Sequence, residues 1–368
     1  MPLTNTDGVP IGANPPTDRE VRYEHSLNLP GLLEHLRATL LVSTYQAGKL
    51  VVVGARQGAL SLSFHNFDRP MGVATKPGAL AVAARNQVWL LGNKPDIAPR
   101  LATPGTYDAC YLTRSSQVTG EIQAHEMGFS ADDELWVVNT LFSCLCTLHP
   151  GYSFVPRWRP PFISGLAPED RCHLNGLAME GGRPKYVTAM SQTDTAAGWR
   201  PNKVKTGCLI EIDGSQTVAQ GFAMPHSPRV YRGHVWVLDS GRGSLVKVDP
   251  ASGTVETVVQ LPGYTRGLSF CEQFAFVGLS KVRETSTFGG VPIAEDRTKL
   301  KCGVAVVDLD AGRTVATLAF ESGVDEIFDV AVLPGIRAAA MRGPFALQDG
   351  QPTIWAVPEP GRKVPDTD

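Results

Sequence analysis

Three of the chain's eight histidines, His125, His173 and His226, stand at equivalent places in three similar segments, HEMGF, HLNGLA and HSPRV. Histidine is rare in these 368 residues, so independent placement would seldom put three of them in matched register. Neutral imidazole is the commonest metal ligand, and three imidazoles with an open fourth position are the usual form of a catalytic zinc. One transition metal ion is therefore expected, zinc first and iron or copper second. Calcium and magnesium prefer oxygen donors. An isolated channel histidine ordinarily does no more than order water, so the expectation rests on the three together. A metal so held would polarise a substrate oxygen or lower the pKa of water to about 7.

Three more segments share the pattern, RPMGVA, YTRGLSF and EIFDVAV, and they put Arg69, Tyr264 and Glu326 in the same column. Tyr264 and Glu326 are expected to move protons, and Arg69 to steady an anionic substrate group. The plainer alternative for Arg69 and Glu326 is a salt bridge across the channel.

The elements that must position this column follow from its period. The aligned glycine, or its equivalent, falls at positions 72, 128, 176, 229, 267 and 329, a mean spacing of about 51 residues. That is one four-stranded propeller blade. Each aligned segment is followed by another short β-branched or alternating run, such as QVWLLG, ELWVVNT, HVWVLDS or QFAFVGLS, with Gly, Asn, Asp or Pro between. Only LPGLLEHLRATL, residues 29–40, has helical spacing, through Leu32, Leu33, Leu36 and Leu40. The fold expected is all-β, a single closed β-propeller of six blades, or seven if the first seventy residues make more than half a blade. Residues 1–40 read as an N-terminal arm with a short helix, 41–360 as the propeller and 361–368 as a tail. Strands from residues 41–67 would complete the last blade and remove its open edge.

In this fold the first strand of each blade lines the axis, so the column converges at one end of the channel. The long loops 92–108, 191–207 and 280–303 are expected at the same end. They carry Arg200, Lys203 and Arg283, with Arg242 on a shorter loop, and a cationic rim of this kind would bind a substrate carboxylate or phosphate.

Lys and Arg number 34 against 36 Asp and Glu, a net charge of −2, which argues against a nucleic-acid or anionic-membrane binder. No apolar run reaches the ~18 residues a membrane helix needs. The polar, proline-rich start has no apolar core of a signal peptide. Seven cysteines form no disulfide-like framework, which points to a reducing cytoplasm. Cys144 and Cys146 share one face of an alternating strand with no second pair, so they read as buried rather than as zinc ligands. Dinucleotide, P-loop and serine-hydrolase motifs are missing. The function expected is a metal-dependent enzyme, a lyase, hydrolase or oxygenase, acting on a small or peptide-like anionic substrate. The other class is a non-catalytic scaffold or ligand-binding propeller.

The segments PMGVA and VWLLGN resemble the opening strands of NHL-type and gluconolactonase-type propellers. The three-histidine column is similar to that of the peptidyl-hydroxyglycine amidating lyase domain, a six-bladed propeller whose zinc is held by three axial histidines. That resemblance implies zinc at His125, His173 and His226, with Arg69 and Tyr264 near it. The lyase's disulfide and secretory context have no counterpart here, so its reaction is not implied. Over nearly the whole chain, STYQAGKL (43–50), RPMGVA, CHLNGLA and SQTDTAAGWR resemble an uncharacterised bacterial family of conserved hypothetical proteins, which implies a propeller and no particular activity.

Overall fold

The structure is a computed structural model and describes residues 20–282 and 289–358. Its strands form six sheets, each with four antiparallel strands that are consecutive or circularly so, and two of the sheets carry a fifth strand. The innermost strands are Val73–Lys76, Ala124–Phe129, Leu174–Glu180, Pro225–Tyr231, Tyr264–Cys271 and Asp329–Pro334. Each touches the next, and the sixth touches the first, so the ring is closed. The protein is a six-bladed β-propeller, and the seven-blade alternative falls.

Closure is made by both ends of the chain. Asp329–Pro334 pairs with Ala38–Ser43, which is followed outward by Lys49–Arg56 and Ala59–Asn66. Two other edges are covered as well. Tyr23–His25 adds antiparallel to the outer strand of the fifth blade, and Ala339–Arg342 adds parallel to that of the first. Covering an edge occupies its unpaired N–H and C=O groups.

Two expected boundaries are corrected. The helix runs Leu29–Leu36, not to residue 40, because Arg37 turns left-handed (φ 47°, ψ 52°) and its N–H closes on the Glu34 carbonyl. Leu40 then belongs to the strand Ala38–Ser43, so the blades begin before residue 41, and Tyr23–His25 is part of a sheet rather than of a free arm. Residues 1–19 and the expected tail at 361–368 lie outside the described residues. The helix buries Leu29, Leu33 and Leu36 against Val51, Val53, Phe276 and Val304, where the fifth and sixth blades meet.

The core lies between blades. Val138 and Leu145 of the second blade pack on Leu174 and Val187 of the third, for example. All seven cysteines are buried and free. Burial pushes the Cys144 thiol up to about 12 and the Cys146 thiol up as well, so both stay protonated at neutral pH and neither offers a thiolate. No helix among the described residues is long and apolar enough to cross a membrane.

The repeated glycine now has a physical reason. A Cβ on Gly72 would lie 2.4 Å from the His125 carbonyl oxygen, and one on Gly267 (φ 79°) would lie 2.4 Å from the Val330 nitrogen. Inner strands of neighbouring blades approach backbone to backbone there, and only glycine leaves the room.

Candidate functional site

His125, His173 and His226 enter one cavity on the axis from the inner ends of the second, third and fourth blades. The chain reaches each inner strand through a residue of left-handed backbone. Gln123 (φ 53°) and Met224 (φ 54°) hold their carbonyls two residues before a histidine. His125 Nδ1 lies 3.0 Å from the Gln123 carbonyl and His226 Nδ1 3.0 Å from that of Met224. A carbonyl only accepts, so Nδ1 carries the proton in both rings and Nε2 keeps its lone pair. Thr140 Oγ1, 2.7 Å from His125 Nδ1, donates to the Leu174 carbonyl, and Ser240 Oγ sits 3.0 Å from His226 Nδ1.

His173 is held differently. Its Nδ1 lies 2.9 Å from Asp170 Oδ2, and the same oxygen accepts from Trp199 Nε1 at 3.0 Å. The buried Trp199 ring leans on the imidazole, with centroids 4.4 Å apart. All three rings are thus fixed through Nδ1, the arrangement that supports metal-bound histidines.

The ring centroids of His125 and His173 are 4.9 Å apart, and those of His125 and His226 6.5 Å. As they stand they are not drawn up around one point, and among the described residues no set of three or more His, Cys, Asp or Glu has metal-centre spacing. Burial, with smaller contributions from the Arg266 charge and His173, holds His125 and His226 well below the usual histidine range. Both rings are neutral at pH 7.

The cavity has a volume of about 370 Å³. Tyr264 and Glu326 line it, as expected from the column. The Tyr264 ring stands 5.8 Å from that of His226, and burial pushes its hydroxyl up, so the phenol keeps its proton. Arg69 is a correction. It is exposed at a left-handed turn (φ 51°) before Pro70, and the first blade presents Met71 to the cavity instead. The Arg69–Glu326 bridge fails for the same reason, since Glu326 lies 3.8 Å from Arg266.

Of the three rim cations among the described residues, Arg200 lines the cavity, beside Trp199. Lys203 is buried outside the lining, and Arg242 is committed to Asp239 at 2.5 Å. Arg283 lies outside the described residues. The loops 191–207 and 280–303 do meet here, through Trp199, Val282, Val291 and Leu300 packed with Met190, Met224 and Tyr264.

Sequence reasoning missed Arg266 and Asp170. Arg266 stacks its guanidinium 3.4 Å over the Phe328 ring centroid, and Phe328 in turn faces His125 at 5.2 Å. The available signals were position alone: Arg266 follows Tyr264 by two residues on one strand, and Asp170 precedes His173 by three.

No curated protein sequence matches this chain. Among solved structures, a chain of the "Nidogen/Laminin Complex" crystal structure is similar at a TM-score of 0.51 and 10% identity, covering 81% of this chain and 99% of that one. At that identity the likeness concerns the fold alone. The sequence model described as "Domain of unknown function (DUF4915)" matches residues 27–341, which takes in all six blades, and the chain belongs to that family.

Proposed function

We propose that this propeller is a metal-dependent enzyme whose axial cavity binds one transition metal ion through Nε2 of His125, His173 and His226, zinc first and iron or copper second. The observation that carries the reading is the shared state of the three imidazoles, each with Nδ1 held from behind. Three imidazole nitrogen donors suit these metals and do not suit calcium or magnesium. Binding requires His226 to close toward His125 from its 6.5 Å centroid separation. The likeness in architecture to the amidating lyase domain supports the same ligand set, and no further part of that enzyme's chemistry is carried over.

When bound, the metal supplies a Lewis acid for a substrate oxygen, the common requirement of lyase, hydrolase and oxygenase chemistry. The protein's residues supply the rest. Arg266 offers charge for an anionic substrate group, Glu326 is the carboxylate placed to accept a proton, and protonated Tyr264 donates a hydrogen bond. Trp199, Phe328 and three methionines supply an apolar part of the wall. The seven free, buried cysteines support the cytoplasm as its compartment. In the alternative, a non-catalytic ligand-binding propeller, the cavity binds small molecules without metal or turnover.

Metal analysis of untagged protein tests the reading. About one equivalent of zinc, iron or copper is expected, lost in each of His125→Ala, His173→Ala and His226→Ala while the folded melt persists. Wild-type protein that retains none of the three after supplementation with each would overturn it.

A further inference from the structure

Resting on the reading of the axial cavity as a substrate site, the geometry points to Arg266 as the anchor for a substrate carboxylate, gripped edge-on beside the three histidines. The residue is 8% exposed, so its charge faces the cavity rather than bulk water. One face of the guanidinium is covered by Phe328 at 3.4 Å. The N–H edge is left to make contacts, and among the described residues it makes no side-chain hydrogen bond. Its one ion pair, with Glu326 at 3.8 Å, is too long for a hydrogen bond. A desolvated guanidinium with its fork uncommitted matches a planar carboxylate, which accepts two parallel N–H bonds in that plane.

The surroundings narrow the class further. Asp170 is spent on His173 and Trp199, and Arg200 stands exposed at the mouth, so Arg266 is the buried cation of the cavity lining. The Glu326 carboxylate beside it disfavours a dianion such as phosphate more than a monoanion. Met71, Met190, Met224 and Trp199 form the apolar part of a lining that also includes Tyr45, Gln46 and Gln123. The expected ligand is a small carboxylic acid with an apolar body.

Calorimetric titration of the metal-stripped, full-length protein with benzoate, acetate and inorganic phosphate tests this. Benzoate is expected to bind saturably and at least tenfold more tightly than phosphate, with acetate weaker for want of an apolar body. Arg266→Gln should weaken benzoate at least tenfold, and Arg266→Lys should recover part of the loss, because an ammonium keeps the charge but not the fork. Glu326→Gln removes the competing carboxylate and should leave benzoate affinity equal or higher, which keeps the test open if Arg266→Gln fails to fold. The assignment is overturned if wild type does not bind benzoate, if Arg266→Gln binds it as wild type does, if Glu326→Gln loses it, or if phosphate binds equally well. Because no metal is present in the titration, failure of the metal reading and failure of this one are seen in separate measurements.

Discussion

Asp170 illustrates how much one side chain decides at this site. Its Oδ2 holds both the His173 imidazole and the Trp199 indole, so ring tautomer and cavity wall depend on the same atom. Asp170→Asn should weaken metal affinity about 10–100-fold, the usual effect of losing such a support. Chelator competition measures it, and an unchanged affinity would mean the carboxylate only packs. His125 and His226 carry a second consequence in metal-free protein. Burial holds both below the ordinary histidine pKa of about 6.5, so below that pH the unfolded chain binds more protons than the folded one. Their contribution is complete above pH ~6.5 and is lost as pH falls toward their folded values. Each should remove about 2 kcal/mol of stability by pH 5 if it stays neutral when folded. Thermal melts between pH 7 and 5 should show the decline, less steeply in His125→Gln. Equal slopes in the two proteins would disprove the assignment.

At the level of elements, one substitution has opposite signs in two places. Gly31 lies on the exposed side of the helix Leu29–Leu36, with nothing within 4 Å of where a Cβ would stand. Gly31→Ala should stabilise by up to about 1 kcal/mol through helix propensity. Gly72→Ala would place its methyl against the His125 carbonyl and the Glu126 backbone, and rigid inner strands cannot part without disturbing the core. It should cost about 1–3 kcal/mol and loosen metal retention by moving His125. Denaturant melts of the pair check both signs. The short pairing of Tyr23–His25 with Leu318–Phe320 covers the outer edge of the fifth blade.

For the whole molecule, closure is the central fact. The sixth blade takes its axial strand from one end of the chain and its other three from the opposite end, so no blade set is complete until both are in place. Buried charges reinforce the ring: Glu126 of the second blade accepts from Arg229 of the fourth at 2.9 Å and from the Leu177 N–H of the third at 2.8 Å. Asp329 of the sixth accepts from the Val73 N–H of the first at 2.8 Å. Truncation after Val324 removes the sixth axial strand and leaves the Ala38–Ser43 edge and the fifth blade's inner strand uncovered. Cooperative unfolding should be lost, as read by calorimetry. A single sharp transition in the truncated chain would show that closure is dispensable.

The repeat of about 51 residues, the strand punctuation between its members and the histidine column were legible in the residues themselves. Each is a local or periodic pattern, and a propeller is a local unit repeated around an axis. The same logic placed Tyr264 and Glu326 in the cavity. It failed at Arg69 because the column was counted along the sequence, whereas the direction of a side chain at the start of an inner strand is set by the turn before it. Arg69, Gln123, His173 and Met224 are all left-handed, but Gln123 and Met224 lie two residues before the column and Arg69 and His173 lie in it. Arg266 stands one residue before the aligned Gly267, outside the column that was counted, and Asp170 lies outside the aligned segments. Their importance arises from what they meet in space, Phe328 and Glu326 of the neighbouring sixth blade for one and Trp199 on a long loop of the same blade for the other. Those partners are 29 to 62 residues away in the chain, so only the folded blades bring them together. The helix end at Arg37 was decided in the same way, by the pairing of Ala38–Ser43 with Asp329–Pro334 nearly three hundred residues later, which outweighs the helical spacing of Leu40.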